Sequence, residues 1–158
     1  MSHPELFLKK HEDKRLRQGH LWVFSNEVDT QRSPLTQFQP GQLVNICASD
    51  GKCLGTAYLN PNTLITGRLL SRKSNLKVNL SFFKTRISHA LSIRETLFNK
   101  PFYRLIYGES DGLPGLVVDR FGSVLALQIT TAGIEQHKSA LIEALIELLN
   151  PSAILLKN

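Results

Sequence analysis

Arg104-Leu-Ile-Tyr-Gly-Glu-Ser-Asp-Gly-Leu-Pro-Gly-Leu-Val-Val-Asp-Arg-Phe-Gly122 is the stretch on which the fold assignment turns. It reads as a strand, an acidic turn, a second strand and a second turn at Phe121-Gly122. Gly108, Gly112, Pro114 and Gly115 crowd into the first turn, which demands a tightly specified backbone. Downstream, Val124 to Thr130 completes an antiparallel hairpin with Leu116 to Asp119. A helix is predicted from about Glu135 to Leu149, with Ile134, Leu141, Ile142, Leu145, Leu148 and Leu149 as its buried stripe and Asn150-Pro151 as its stop. Ala153 to Leu156 then begins another strand.

Upstream, Ser81 caps a predicted helix that runs to about Phe98 and is ended by Lys100-Pro101. At about 100° per residue, Phe82, Phe83, Ile87, Ala90, Leu91, Leu97 and Phe98 share one arc, and Arg94 falls inside it. An unpaired cation on a buried face is expensive, so Arg94 is expected to pair with Asp119 or Asp111. Residues 74–80 are polar and basic and read as a linker, which leaves 81–158 as an α/β domain cut before completion.

The N-terminal part is β-rich. Leu6 to Leu8, Leu21 to Phe24, Gln42 to Cys47, Lys52 to Leu59 and Leu64 to Leu70 are strand-like. They are separated by Pro40-Gly41, Asp50-Gly51 and Asn60-Pro61-Asn62 turns, and by an exposed connection over Thr30 to Pro40. One short helix falls between Lys9 and Gly19. Residues 1–73 therefore read as a small β-barrel, and the chain as mixed α/β of the α+β kind.

Charge points to an anionic partner. The net charge is +6, and between Gly51 and Arg94 eight basic residues occur with no Asp or Glu. Lys9, Lys10, Lys14, Arg15 and Arg17 offer phosphate contacts, and His11, His20 and Trp22 offer rings for unpaired bases, although Trp22 itself, beside Val23 and Phe24, reads rather as a core residue. Arg68, Arg72 and Lys73 supply a second basic edge. No apolar run reaches membrane-spanning length, and Cys47 and Cys53 read as reduced core residues of a cytoplasmic protein. The chain has no G-x-G-x-x-G, phosphate-binding loop or nucleophile elbow, and its histidines and cysteines lack metal-ligand spacing. Glu109, Asp111 and Asp119 read as turn and ion-pair residues rather than an acid/base set.

The blocks Lys9 to Arg17, Gly19 to Glu27 and Tyr107 to Gly122 resemble the bacterial large-subunit (23S) ribosomal RNA cytosine-C5 methyltransferases of type I. The resemblance implies an N-terminal PUA domain at 1–73 and a partial strand-strand-helix-strand central domain at 81–158. In it, Arg104 to Gln128 supply two strands, Glu135 to Leu149 the helix and Ala153 to Leu156 the third strand. It also implies a C-terminal S-adenosylmethionine domain in the same polypeptide, carrying the cofactor loop and catalytic cysteine. Nothing in this chain corresponds to that domain, so no catalytic or cofactor-binding residue is expected here and the chain alone is expected to be inactive. Cys47 and Cys53 are not carried over as nucleophiles. The expected role is RNA recognition, with ribosomal RNA as partner. The alternatives are a free-standing PUA-type adaptor that ends at Asn158, or a basic module that meets an acidic protein.

Overall fold

A computed structural model describes residues 1–157; Asn158, the last residue of the expected central domain, lies outside the described residues. The chain divides into two compact units, Met1–Leu76 and Lys77–Asn158. The first contains β1 (Glu5–Phe7), α1 (Lys14–Arg17), β2 (Trp22–Phe24), β3 (Gln42–Cys47), β4 (Cys53–Leu59) and β5 (Ile65–Ser71). Its strands form one sheet in the order β1-β3-β4-β5-β2, with β1 parallel to β3 and the other pairs antiparallel. This sheet curls into a half-barrel around Leu6, Leu8, Leu16, Val23, Val44, Ile46, Leu59 and Leu69.

The turns follow from local chemistry. At Asp50-Gly51 the glycine takes φ +91° and the Asp50 carboxylate accepts the Lys52 N–H at 2.9 Å. Gly55 permits the curl, because a Cβ there would run into the backbone carbonyl of Ser71 on the neighbouring strand. Two expectations are corrected in this unit. The connection over Thr30 to Pro40 is not wholly exposed: Phe38 enters the core and Ser33 is buried, its hydroxyl accepting the Phe7 N–H. Cys47 and Cys53 are not two reduced core residues. Their sulfurs are bonded, because the register sets them opposite each other at the end of the β3–β4 hairpin, and Cys53 is exposed.

The expected linker is also shorter. Asn45 and Asn75 exchange two hydrogen bonds, and the Thr56 hydroxyl donates to the Lys73 carbonyl at 2.8 Å and accepts the Leu76 N–H at 3.1 Å. Residues through Leu76 thus belong to the first unit. At the other end of the same unit, the His3 N–H donates to the Asn75 side chain and the His3 ring Nε2 lies 2.7 Å from the Leu76 carbonyl oxygen.

The second unit contains α2 (Leu80–Leu97), β6 (Phe102–Tyr107), β7 (Leu116–Phe121), β8 (Val124–Ile129), α3 (Ala132–Gln136), α4 (Lys138–Leu149) and β9 (Ala153–Leu156). Its sheet runs β6-β7-β8-β9, antiparallel until β9, which lies parallel to β8. Between α2 and α3 lie three strands, one more than the family pattern implied, because Gly122 at φ +63° turns β7 directly into β8. Helix α2 packs on α4 and β6, burying Phe83, Ile87 and Ala90 against a core that includes Leu105, Leu116, Val118, Leu127 and Leu141.

Helix boundaries differ from expectation for identifiable reasons. Asn79, not Ser81, caps α2, its side chain accepting the Phe82 N–H at 3.0 Å. The helix expected over Glu135 to Leu149 is two helices. The Thr131 hydroxyl caps the first, and His137, with its N–H closing on Ile134, re-aims the chain so that Ile134 and Leu141 are both buried. Leu97 and Phe98 leave the expected apolar arc: both are exposed, and the Phe98 ring stacks on Tyr103.

The glycine-rich turn is fixed from α2 by two cations. Arg94 donates from Nη1 and Nη2 to the two carboxylate oxygens of Asp111 at 3.0 and 2.9 Å, and from Nε to the Arg104 carbonyl. Arg86 donates to the Gly112 carbonyl. Asp111 also accepts the Tyr107 N–H at 2.7 Å. Asp119, the other acid considered for Arg94, instead pairs across the sheet with Arg104, its register partner.

Candidate nucleic-acid interface

Helix α1 is too short to be stable on its own propensity, so its presence needs a tertiary cause. Leu16 supplies one by entering the barrel core, where it is 2% exposed. Arg72, at the end of β5, supplies another by donating to the carbonyls of Leu16 and His20. The C-terminal turn of α1 is thereby tied to the sheet, and Lys14, Arg17 and His20 are left exposed.

Two aromatic rings extend this basic surface. Trp22 on β2 is 38% exposed, which overturns its reading as a core residue. The Arg68 guanidinium, on the paired strand β5, lies 5.3 Å from the Trp22 ring centre. Trp22 meets Phe24 edge-on, and Arg15 lies 5.0 Å over the Phe24 ring. Arg15 also faces the buried Glu27 at 3.6 Å, and Glu27 accepts the Phe24 N–H at 2.8 Å. A path of contacts therefore links Arg68, Trp22, Phe24 and Arg15 to α1, and α1 to Arg72.

The expected contact residues divide by role. Arg17 and Arg72 line one open hollow of about 590 Å³, together with Gln18, Gly19, Cys53 and Leu54. Arg15 and Arg72 also hold the fold, through Glu27 and through the carbonyls of α1. Lys9, Lys10 and His11 are exposed on the turn that enters α1, and Lys73 is exposed beyond β5. Arg17 is paired with Asp13 at 2.6 Å, and this hydrogen bond holds the Asp13 carboxyl below the usual carboxylate range. Sequence reasoning missed the contributions of Gln18, Gly19, Cys53 and Leu54 to the hollow, because only the crossing of α1 over the hairpin end brings them together.

Among the described residues, one group of side chains could share a metal ion. Glu5, Cys47 and Cys53 lie close enough to share an ion, but the two sulfurs are bonded to each other. The strand-helix-strand passage from β8 to β9 enters its helix at Thr130-Thr131-Ala132-Gly133, where Thr131 is occupied as a cap. That turn holds one glycine, Gly133, which is buried.

Comparison with known proteins agrees with this geometry. Residues 6–72 match the family model described as a PUA-like domain, and the first unit has that fold. The chain is 41% identical over 143 residues to the ribosomal RNA large subunit methyltransferase I of Erwinia tasmaniensis, covering 89% of this chain and 35% of that protein. It is 39% identical over 152 residues to the protein of the same name from Cronobacter sakazakii, covering 94% of this chain and 38% of the relative. The chain thus spans little more than a third of the length of the curated relatives it matches. Among solved structures, a Streptococcus mutans protein proposed as a SAM-dependent methyltransferase shares the fold with a TM-score of 0.80 at 19% identity, over 97% of this chain and 40% of that one. A structure of a proposed methyltransferase in complex with SAH gives 0.81 at 19% identity, over 98% and 40%.

Proposed function

We propose that this chain is the RNA-recognition part of an S-adenosylmethionine-dependent methyltransferase of ribosomal RNA, acting on carbon 5 of a cytosine in the cytoplasm. The observation that carries the reading is the joined basic and aromatic surface of the first unit: Arg17, Arg72 and His20 around α1, with Trp22 under Arg68 beside it. Guanidinium and ammonium groups there meet backbone phosphates, and the exposed Trp22 face takes an unpaired base. Lys9, Lys10, His11, Lys14 and Lys73 widen the same footprint. The relatives that match nearly the whole chain are named ribosomal RNA methyltransferases, which supports both the substrate class and a methyl donor held elsewhere.

The test measures binding of a structured ribosomal RNA fragment across a salt series. Lys10, Lys14 and Arg17 are the residues to reverse, since Arg15 and Arg72 also support the fold. A K10E/K14E/R17E chain should bind more weakly, with a salt slope smaller by about 2.1–2.7, at about 0.7–0.9 for each of three lost phosphate contacts. Equal affinity and slope for the two chains would remove this surface from the reading. Stronger binding of an acidic protein than of RNA would favour the protein-interaction alternative.

A further inference from the structure

Glu5, Cys47 and Cys53 come from three neighbouring strands, β1, β3 and β4. Cys47 stands opposite Cys53 across the β3–β4 pair, and Glu5 stands opposite Asn45, two residues before Cys47 on the same strand. Side chains two positions apart share a face of a sheet, so the register puts all three donors on one face. The Glu5 carboxylate lies 4.0 Å from the Cys53 sulfur, and the three ligand atoms lie within 4.8 Å of one another. A tetrahedral zinc ion, with Zn–S at about 2.3 Å and Zn–O at about 2.1 Å, holds its donors about 3.6–3.8 Å apart. Glu5 and Cys53 are exposed, so their side chains can make the shift of about 1 Å that closes the set. Cys47 is fully buried and supplies the fixed ligand. The same exposure leaves the fourth position of the ion to water.

We propose that, once its cysteines are reduced, the first unit holds a thiophilic divalent cation, Zn²⁺ by its chemistry, on Glu5, Cys47 and Cys53. Two soft sulfurs and one carboxylate oxygen form a set that zinc accepts, whereas Mg²⁺ and Ca²⁺ require oxygen donors throughout. Cys47 and Cys53 are six positions apart and match no zinc pattern in the sequence, because the third ligand comes from β1. In a reducing compartment disulfides are rare, and a close pair of cysteines is more often a metal or catalytic site. A small dithiol opens the site. One of its thiolates attacks the Cys53 sulfur, forming a mixed disulfide as the Cys47–Cys53 bond breaks and Cys47 leaves as a thiolate. The second thiolate of the dithiol then attacks its own sulfur in the adduct, closing a cyclic disulfide and releasing Cys53. The dithiol loses two electrons and the protein disulfide gains them. The ion then binds the two cysteines as thiolates, displacing their protons to solvent. Bound there, it joins edge strand β1, which has three register pairs with β3, to the β3–β4 hairpin through side chains. The site does not depend on the RNA-binding reading.

The experiment reduces the whole chain with a dithiol, removes the reductant without air, and titrates with Zn²⁺ or with Co²⁺ as a coloured probe. The expected result is one ion per chain, thiolate-to-cobalt charge-transfer absorption, and release of about two protons per ion at about pH 7. With Zn²⁺ about a hundredfold above its dissociation constant, the unfolding midpoint of the first unit, read from Trp22 fluorescence, should rise by roughly 11–22 °C. The disulfide form should bind neither ion. Glu5→Gln should weaken binding by at least about tenfold, the lower end of what even a supporting group contributes at a metal site. Cys53→Ser should lose tight binding and most of the absorption. No binding by the reduced chain, equal binding by the disulfide form, two chains per ion, or unchanged affinity in Glu5→Gln would overturn the inference. If Cys53→Ser does not fold, the disulfide form and Glu5→Gln decide, since Glu5 is exposed on an edge strand. Failure of the chain to bind RNA would count against the proposed function alone, because none of these readings involves RNA.

Discussion

Removing the Asp111 carboxylate isolates the contribution of the ion pair that holds the glycine-rich turn. Asp111→Ala deletes the two carboxylate acceptors of Arg94 and the acceptor of the Tyr107 N–H. The side chains are 16% exposed at Arg94 and 6% at Asp111, so the guanidinium left behind is largely cut off from water. Breaking a buried pair by removing one partner costs about 3–5 kcal/mol, and the lower end applies because Arg94 keeps the Arg104 carbonyl. For a unit of this length that loss lowers its midpoint by roughly 12–24 °C, at about 4–8 °C per kcal/mol. Arg94→Met should cost a similar amount, and the double variant less than the sum, with a coupling of about 0.5–3 kcal/mol. The long helices α2 and α4 both belong to the second unit, so helical circular dichroism follows that unit. The single tryptophan, Trp22, belongs to the first unit and reports on it by fluorescence. A loss below about 1 kcal/mol in the helical signal, or strictly additive single variants, would refute the argument.

Gly115 has φ +86°, and a Cβ there would collide with the Thr131 side chain, so Gly115→Ala should destabilise the second unit by about 2–4 kcal/mol in denaturant unfolding. Thr131→Ser in the same background should recover part of that loss, since it removes the methyl that a new Cβ meets. Burial holds the His137 imidazole below its ordinary value, so the unfolded chain binds this proton more readily than the folded one. The His137 contribution is therefore present above about pH 6.5 and lost as pH falls below it, and His137→Gln should flatten the stability profile of the second unit there.

The elements of both units were legible because each carries a local signal. Asp50-Gly51 marks a hairpin, Phe121-Gly122 another, and the spacing of Phe83, Ile87 and Ala90 a helix face. The need of Arg94 for a carboxylate was legible from burial alone, but the choice of partner was not. Cross-strand register gives Asp119 to Arg104 and leaves Asp111 at the end of the turn that faces α2. At the candidate interface, residue type identified the cations but could not separate Arg15 and Arg72, which hold the fold, from exposed Lys10 and Lys14. Trp22 reads as core from its apolar neighbours, yet an edge strand exposes one face of such a sequence. The cysteine pair was misread because compartment was weighed ahead of register.

The bonds that join His3 to Asn75 and Leu76 have a consequence for how the first unit can be handled. They bring the incoming and outgoing backbone of the half-barrel to one spot. A module whose two ends meet can be spliced into a host loop without stretching that loop or threading its own core. The half-barrel is thus a cassette, and residues 1–76, moved to an unrelated scaffold, should keep their curl provided that clasp travels with them.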